Sequence, residues 1–178
     1  MQTLVKDDFV SKSGNIDRAT AYGFKFKSSY RLGFIGLKDA VLSFNYDYEK
    51  SELDDPFTGR KIPFSLKPSK NINIGYRHDV TSLQLSYGGS VTFRRNFYLN
   101  DIRLNWYGTP GTLLDVFVEK NIYNGIKLRI SGKDLSGSLG ISTQHVFLNH
   151  SRFNNLDRLA PRNSRGARHI EVTLQGTF

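Results

Sequence analysis

The sequence predicts an all-β protein built from long antiparallel strands. Apolar and polar residues alternate with a period of two through most of the chain, and the spacing typical of an amphipathic helix is nearly absent. Short and long connections alternate between these runs. Because successive side chains of a strand point to opposite faces, each run is expected to place its apolar residues on one face of a sheet.

Seven runs carry this alternation. Their apolar sets lie between Tyr22 and Leu32, Ala40 and Tyr48, Ile72 and Tyr76, Leu83 and Phe93, Leu114 and Val118, Ile126 and Ile130, and Ile170 and Phe178. The apolar face of each run is free of charge, and the other face holds lysine, arginine, aspartate and glutamate among small polar residues. Residues 1–10 are expected to form a further, incomplete strand, so the sequence predicts about eight strands.

The length of the runs and the rhythm of their connections favour strands that cross a membrane. Several runs extend for ten or more residues, whereas a typical strand has about 5–6 and a tilted membrane-spanning strand needs roughly 9–11. Short links at 33–38, 79–82 and 123–125 alternate with long ones at 51–67, 96–111 and 134–167. Outer-membrane β-barrels have this asymmetry, with short periplasmic turns and long external loops. The predicted fold is therefore an antiparallel transmembrane β-barrel segment.

The composition excludes some classes of protein and leaves others open. The 178 residues include 13 Phe and 9 Tyr but no cysteine, so disulfides and thiolate metal sites are excluded. The net charge of +9 raises the possibility of nucleic-acid binding. The basic residues are scattered over separate segments and form no dense run, so we expect no nucleic-acid partner.

Sequence motifs for catalysis or for metal and cofactor binding are lacking, and we expect no enzymatic activity and no cofactor. The four histidines have no metal-ligand spacing, and no GxSxG motif occurs. Asp54 and Asp55 stand together in DDPFTGR, where the proline and glycine indicate a turn. We expect Asp54, Asp55 and Arg60 to lie in an external loop as a solvated, mutually neutralising cluster.

The charged face of the strands supplies the candidate interior residues. The polar side chains expected to face the lumen are Lys25, Lys27, Arg77, Arg94, Lys127, Arg129 and Glu171. A predominantly basic lumen would favour anionic ligands and hold a hydrated domain by polar contacts. We expect most of these charges to pair across strands, because opposite charges on neighbouring strands are mutually stabilising.

Several stretches, in their order, resemble a known family. They are AYGFKFKSSYRL, LSFNYDYEKSELDDPFTGRKIPFS, NINIGYRHDV, LLDVFVEKNIYNGIKLRISGKDL and the closing EVTLQGTF. Over residues 15–178 the chain resembles TonB-dependent outer-membrane receptors, and within them the C-terminal part of the 22-stranded barrel. The last strand, with Ile170, Val172, Leu174 and Phe178, resembles the signal by which outer-membrane barrels are recognised for assembly, although Gly176 departs from that pattern.

The resemblance implies a location and a set of partners. Residues 1–178 would form the C-terminal part of a receptor barrel in the outer membrane of a Gram-negative bacterium, without the plug domain and the N-terminal strands. The partners implied are membrane lipid and lipopolysaccharide, the rest of the receptor, TonB through the plug, and the barrel-assembly machinery. Such receptors take up ligands such as ferric siderophores or other nutrients. Two alternatives stay open: a complete eight-stranded barrel with a structural or adhesive role, and a soluble basic β-domain that binds nucleic acid.

Overall fold

The residues that the structure describes lie mostly in β-strands. The computed structural model describes residues 2–5, 8–11, 18–55, 59–63, 70–95, 97–100, 103–123, 125–148 and 155–176. Within them lie 14 strands, two short 3-10 turns (Leu32–Ile35 and Thr81–Leu83) and no α-helix. The strands are β1 (Gln2–Val5), β2 (Asp8–Ser11), β3 (Ala19–Arg31), β4 (Ala40–Asp54), β5 (Lys61–Ile62), β6 (Lys70–Val80), β7 (Leu85–Arg95), β8 (Phe97–Asn100), β9 (Leu104–Thr109), β10 (Leu113–Tyr123), β11 (Ile126–Lys133), β12 (Leu139–Phe147), β13 (Leu156–Arg165) and β14 (His169–Gln175).

Seven of these strands form the main sheet, in the order β3-β4-β6-β7-β10-β11-β14. Every neighbouring pair is antiparallel, and the two-residue strand β5 adds to the outer part of β4. The seven strands correspond to the seven alternating runs of the sequence, except that Leu32 and Leu83 lie in the 3-10 turns and Phe178 lies outside the described residues. The prediction of an all-β fold with antiparallel sheets is confirmed.

The two ends of the main sheet carry different connections. Short turns join β3 to β4, β6 to β7 and β10 to β11, and these define the short-turn end. Gly36 and Gly125 adopt φ of 89° and 82° in two of those turns, a conformation that favours glycine. The long connections after β4, β7 and β11 all leave from the opposite end, called here the long-loop end. The predicted alternation of short and long connections is therefore confirmed.

The prediction that 96–111 and 134–167 are loops is wrong. The first segment contributes β8 and β9 and the second contributes β12 and β13, which together form a four-stranded antiparallel sheet in the order β8-β9-β12-β13. The pairing of β9 with β12 joins two separate connections, and such long-range pairing leaves little local signal. The side chains of Phe97 and Trp106 pack edge to face across this second sheet, with ring centroids 5.2 Å apart.

The prediction of a single incomplete strand at 1–10 is also wrong, and so is the total of about eight strands. The first described residues form a hairpin in which β1 pairs with β2 and with no strand of the main sheet. The charged sequence KDD between the apolar residues of the two strands interrupts the alternation. Such an interruption marks a reversal of the chain better than it marks the middle of one strand.

The main sheet remains open in the described residues, with β3 and β14 at its edges. Six antiparallel pairings separate these two strands, so they run in the same direction. Consequently β3 and β14 cannot pair with each other in an antiparallel ladder. The sheet encloses little: of the described hydrophobic side chains, only Ala40 and Phe147 are buried.

Candidate functional site: the two faces of the main sheet

One face of the main sheet is apolar from edge to edge. The register opposes Phe26 to Tyr46 and then Tyr46 to Ile72, so the apolar residues of neighbouring strands stand in rows. The rows continue through Ile130 and Val172 at the other edge. The members are Tyr22, Phe24, Phe26, Tyr30, Leu42, Phe44, Tyr46, Tyr48, Ile72, Ile74, Tyr76, Leu85, Tyr87, Val91, Phe93, Leu114, Val116, Val118, Ile126, Leu128, Ile130, Ile170, Val172 and Leu174. We call this surface the apolar face.

The apolar face is exposed. Phe24 is 56% exposed, Val116 in the middle of the sheet is 42% exposed, and Val172 is 65% exposed. No layer of the described chain packs over these side chains. Contiguous apolar surface of this extent marks a face that is covered by a partner or a membrane, because soluble monomers rarely expose patches above a few hundred Å².

The opposite face is polar and its side chains bond to one another. Asn45 donates a hydrogen bond to the Asn73 side chain at 3.2 Å, and Asn73 donates to the Thr92 hydroxyl at 2.8 Å. These three residues lie side by side on β4, β6 and β7. This chain of bonds crosses three strands of the face, which we call the polar face.

A cluster of cations surrounds Glu119 on the polar face. The Glu119 carboxylate lies 3.3 Å from the Arg129 guanidinium, 3.9 Å from that of Arg77 and 4.0 Å from the Lys127 ammonium. Arg77 also donates hydrogen bonds to Asp79 at 2.9 Å and to the Ser86 hydroxyl at 3.0 Å. Three strands therefore contribute to one charge network with three cations and two carboxylates.

Phe117 is an aromatic residue within this cluster, and it organises the two guanidiniums. The Arg129 guanidinium stacks 4.1 Å from the ring centroid, and that of Arg77 lies at 5.7 Å. Glycines make room for the ring: an added Cβ at Gly88 would stand 3.0 Å from it and would overlap the Tyr76 carbonyl. A depression of about 390 Å³ lies against Phe117, Arg77 and Arg129.

A second polar cluster joins the base of the last long connection to β10. The Asp134 carboxylate accepts hydrogen bonds from the Ser138 backbone N–H (2.9 Å), the Ser138 hydroxyl (2.8 Å) and the Ser136 hydroxyl (3.1 Å). The Asp134 backbone N–H donates to the Asp115 carboxylate at 2.8 Å. An added Cβ at Gly166 would overlap the Asp134 carboxylate. Asp134 and Ser138 are buried, and this cluster anchors the second sheet to the main one.

The hydrogen bonds to Asp134 also set its ionisation. The backbone N–H of Ser138 contributes most, and it lowers the pKa of the Asp134 carboxyl below its ordinary value. The two serine hydroxyls and the charge of Arg94 act in the same direction, while burial opposes them. The carboxylate is therefore the stable form at neutral pH.

All seven predicted interior residues lie on the polar face, but the structure brings only three of them together. Arg77, Lys127 and Arg129 meet at Glu119. The others are distributed along the strands: Lys25 is opposite Asp47, Lys27 is opposite Asn45, Arg94 is opposite Asn71 and Glu171 is opposite Ser131. The Arg94 side chain also donates to the Gly111 carbonyl at 3.2 Å.

The predicted loop cluster begins within a strand. Asp54 is the last residue of β4 and is paired with Lys61 of β5, so it is not a loop residue. Asp55 and Arg60 follow the strand, and the Asp55 backbone N–H donates to the Arg60 carbonyl at 2.9 Å. Gly59 adopts φ of 64°, as expected of a glycine in a turn.

Three of the four predicted assembly residues lie along β14. Ile170, Val172 and Leu174 lie on the apolar face. Phe178 lies outside the described residues. The sequence analysis missed the Asp134 cluster, because two of its members, Asp115 and Gly166, lie 19 and 32 residues away from Asp134. A short-range pattern does not reveal such a contact.

Comparisons with known proteins were made against protein families, curated proteins and solved structures. None of the three finds a match. Across the described residues, no helix is long and apolar enough to span a membrane. The same residues contain no group of three or more histidine, aspartate or glutamate side chains that could hold a metal ion.

Proposed function

We propose that the chain forms part of the wall of a β-barrel in the outer membrane of a Gram-negative bacterium. The observation that carries the proposal is the exposed apolar face, which continues over all seven strands of the main sheet. In water such a surface is unfavourable, since apolar area exposed to water is what folding normally removes. In a membrane the same side chains are in contact with lipid, and the alternation of apolar and polar faces is what a barrel wall requires.

The height of the apolar face agrees with this environment. On β3 its apolar side chains extend from Tyr22 to Tyr30. At a rise of about 3.3 Å per residue these eight steps measure about 27 Å along the strand. A tilt of about 40° reduces this to about 20 Å across the membrane, close to the band of about 25 Å seen in outer-membrane barrels.

The unpaired edges support a wall with further strands. Open sheet edges do not occur in the hydrocarbon region, because their backbone groups would have no partner there. Since β3 and β14 run in the same direction, antiparallel closure requires an odd number of additional strands. The total is then even, as in bacterial single-chain barrels. A larger barrel supplies these strands readily.

Within that class we propose the C-terminal part of a TonB-dependent receptor. The support is the resemblance of the ordered stretches over 15–178, together with long connections that build a second sheet at one end of the wall. The polar face would then line the interior and contact the plug, and the net positive charge near Phe117 would favour anionic groups. The wall segment contributes to the uptake of a ligand such as a ferric siderophore and does not transport alone.

The alternative small barrel differs in one respect that can be measured. It would need a single additional strand from residues before β3, where β1 and β2 pair with each other. It would therefore close as a monomer, and the gel mobility of the unheated chain would differ from that of the boiled chain. The receptor segment closes only with the missing strands, so heat-modifiable mobility is expected only when those strands are supplied in trans or in the same chain.

The membrane proposal is tested by refolding the chain from urea with and without phosphatidylcholine vesicles. We expect β-structure that sediments with the vesicles, with the open edges paired between copies of the chain because unpaired edges are not tolerated in the hydrocarbon region, and aggregation in buffer alone. A chain that is monomeric and folded in buffer, without lipid or detergent, would contradict the proposal and favour a soluble β-domain. Binding of a labelled DNA or RNA oligomer by that soluble form would then support the nucleic-acid alternative.

A further inference from the structure

A depression of about 460 Å³ opens where the second sheet meets the main sheet. It lies between the turn that follows β11 and the short link from β13 to β14. We call it the arginine pocket, and its lining consists of Ser136, Gly137, Leu139, Arg165, Gly166 and Arg168. Its volume is within the range of sites that hold small organic molecules, roughly 300–1,000 Å³.

The turn after β11 brings its backbone close to the Arg168 guanidinium. A Cβ added at Gly137 would lie 2.9 Å from Nε and 3.1 Å from Nη2 of Arg168. Gly137 also adopts φ of 59°, a conformation that favours glycine. The guanidinium can therefore lie against the turn because this position carries no side chain.

The two arginines of the pocket lack a charge partner in the part of the chain that the structure describes. Within it, the side chains of Arg165 and Arg168 form no ion pair and no hydrogen bond. The connection from Asp134 to Arg168 contains five arginines but only two carboxylates, those of Asp134 and Asp157. Asp157 lies near the other end of β13, eight residues from Arg165 and so about 26 Å away along the strand.

The nearer carboxylate, that of Asp134, is compensated by other groups. It accepts three hydrogen bonds from hydroxyl and backbone N–H groups of its own turn. The cation whose charge lowers the pKa of this carboxyl is Arg94, which does not line the pocket. The positive charge of the two pocket arginines therefore remains available to a ligand.

We infer that the arginine pocket binds the oxyanion group, phosphate or carboxylate, of a small organic molecule. A guanidinium presents its N–H donors in a planar fork that matches two oxygens of such a group. Leu139, which is 45% exposed, provides an apolar contact for the organic part. The Ser136 hydroxyl donates its proton to the Thr112 carbonyl at 2.7 Å, and its oxygen can accept a hydrogen bond from a ligand hydroxyl. The inference goes beyond the proposed wall, since the pocket does not require the apolar face to contact lipid.

The test measures the binding of radiolabelled glycerol phosphate to the refolded chain by equilibrium dialysis. The chain is prepared both in neutral detergent and in phosphatidylcholine vesicles, so a chain that fails to enter vesicles still reports on the pocket. We expect glycerol phosphate to bind, inorganic phosphate and citrate to compete with it, and glycerol not to compete. Arg165→Gln/Arg168→Gln should weaken binding by about tenfold or more, since a hydrogen bond to a charged group contributes about that factor.

Matched variants separate a specific pocket from general positive charge. Arg158→Gln/Arg162→Gln removes the same charge from β13, but the register places these two residues on the other face of the strand from Arg165. This variant should bind as the wild type does. Arg165→Lys/Arg168→Lys keeps the charge without the planar fork, so its affinity should lie between those of the wild type and the glutamine variant.

Two results would overturn the pocket and leave the wall intact. One is an equal loss of binding in the two glutamine variants, and the other is a wild-type chain that binds glycerol phosphate no more tightly than glycerol. Failure of the chain to sediment with vesicles, together with phosphate-dependent binding in detergent, would overturn the wall and leave the pocket intact.

Discussion

The stability cost of an arginine introduced on the apolar face distinguishes a membrane wall from a soluble sheet. Val91 of β7 is opposite Ile74 on one side and Leu114 on the other, in the middle of the main sheet. It lies four residues from Arg95 and six from Leu85, the two ends of the strand. Val91→Arg therefore places a charge near the centre of the apolar band.

The expected cost follows from that depth. An arginine facing lipid at the midplane of a barrel costs about 2–4 kcal/mol, and the value falls toward the interface. Because Val91 is nearer the long-loop end, we expect about 2 kcal/mol, or roughly a 30-fold shift of the folding equilibrium. On a solvent-exposed sheet surface a comparable substitution usually changes stability by about 0.5 kcal/mol or less.

The neighbouring residue provides the control. Ser90 is on the polar face, opposite Gly75 and Asp115, so Ser90→Arg adds the same side chain beside a carboxylate. The assay is urea-dependent refolding into phosphatidylcholine vesicles, followed by the fluorescence of Trp106, the one tryptophan of the chain. Equal urea midpoints for the two variants would refute the assignment of faces.

Three further predictions concern the polar clusters. Gly166→Ala should destabilise the chain by about 1–3 kcal/mol, because the added Cβ overlaps the Asp134 carboxylate. Gly33→Ala is the control and should be nearly neutral, since its Cβ would have its nearest neighbour at 3.9 Å. Equal urea midpoints for the two variants would contradict this prediction. Glu119→Gln should lower the free energy of unfolding by about 1 kcal/mol, because its three neighbouring cations then repel one another. In 1 M NaCl the screening length is roughly 3 Å, so this loss of stability should shrink. A loss of stability that is unchanged in 1 M NaCl would exclude repulsion as the cause. The lowered pKa of Asp134 contributes stability that is complete above the unfolded pKa of about 3.9 and is lost as the pH falls through the folded pKa. The wild type should therefore lose stability below about pH 4 more steeply than Asp134→Asn, and parallel pH profiles would show that the hydrogen bonds to the carboxylate do not stabilise the fold.

The main sheet was predictable because its signal is local. In a strand buried or lipid-covered on one face, every second residue is constrained, and the runs from Tyr22 to Tyr30 and from Ala40 to Tyr48 record that constraint directly. A slip of one residue would move the whole apolar set to the other face. The sequence therefore predicts both the strands and the residues that share a face.

The second sheet could not be predicted as readily. β12 alternates Leu139 and Ile141 with Gly140 and Ser142, a signal that is visible in retrospect. Its partner β13 contains Pro161 and several arginines, a composition that is typical of a loop. Proline is tolerated there because β13 is the edge strand of its sheet. Pairing between two distant connections depends on the fold as a whole.

The candidate site was predicted in part. The charges of the polar face follow from alternation, and their distribution over seven strands was foreseen. The meeting of Arg77, Lys127 and Arg129 at Glu119 depends on the register of β6, β10 and β11. Register is a property of strand pairs, and no single run of sequence contains it.

The most direct test of the central claim is a cysteine scan along β3. The chain contains no cysteine, so single cysteines from Tyr22 to Tyr30 can each carry an environment-sensitive fluorophore in vesicles. We predict an alternation of period two: blue-shifted emission quenched by lipid-borne quenchers at Phe24 and Phe26, and emission quenched by aqueous iodide at Lys25 and Lys27. Uniform quenching by iodide at all positions would contradict the assignment of the apolar face to lipid.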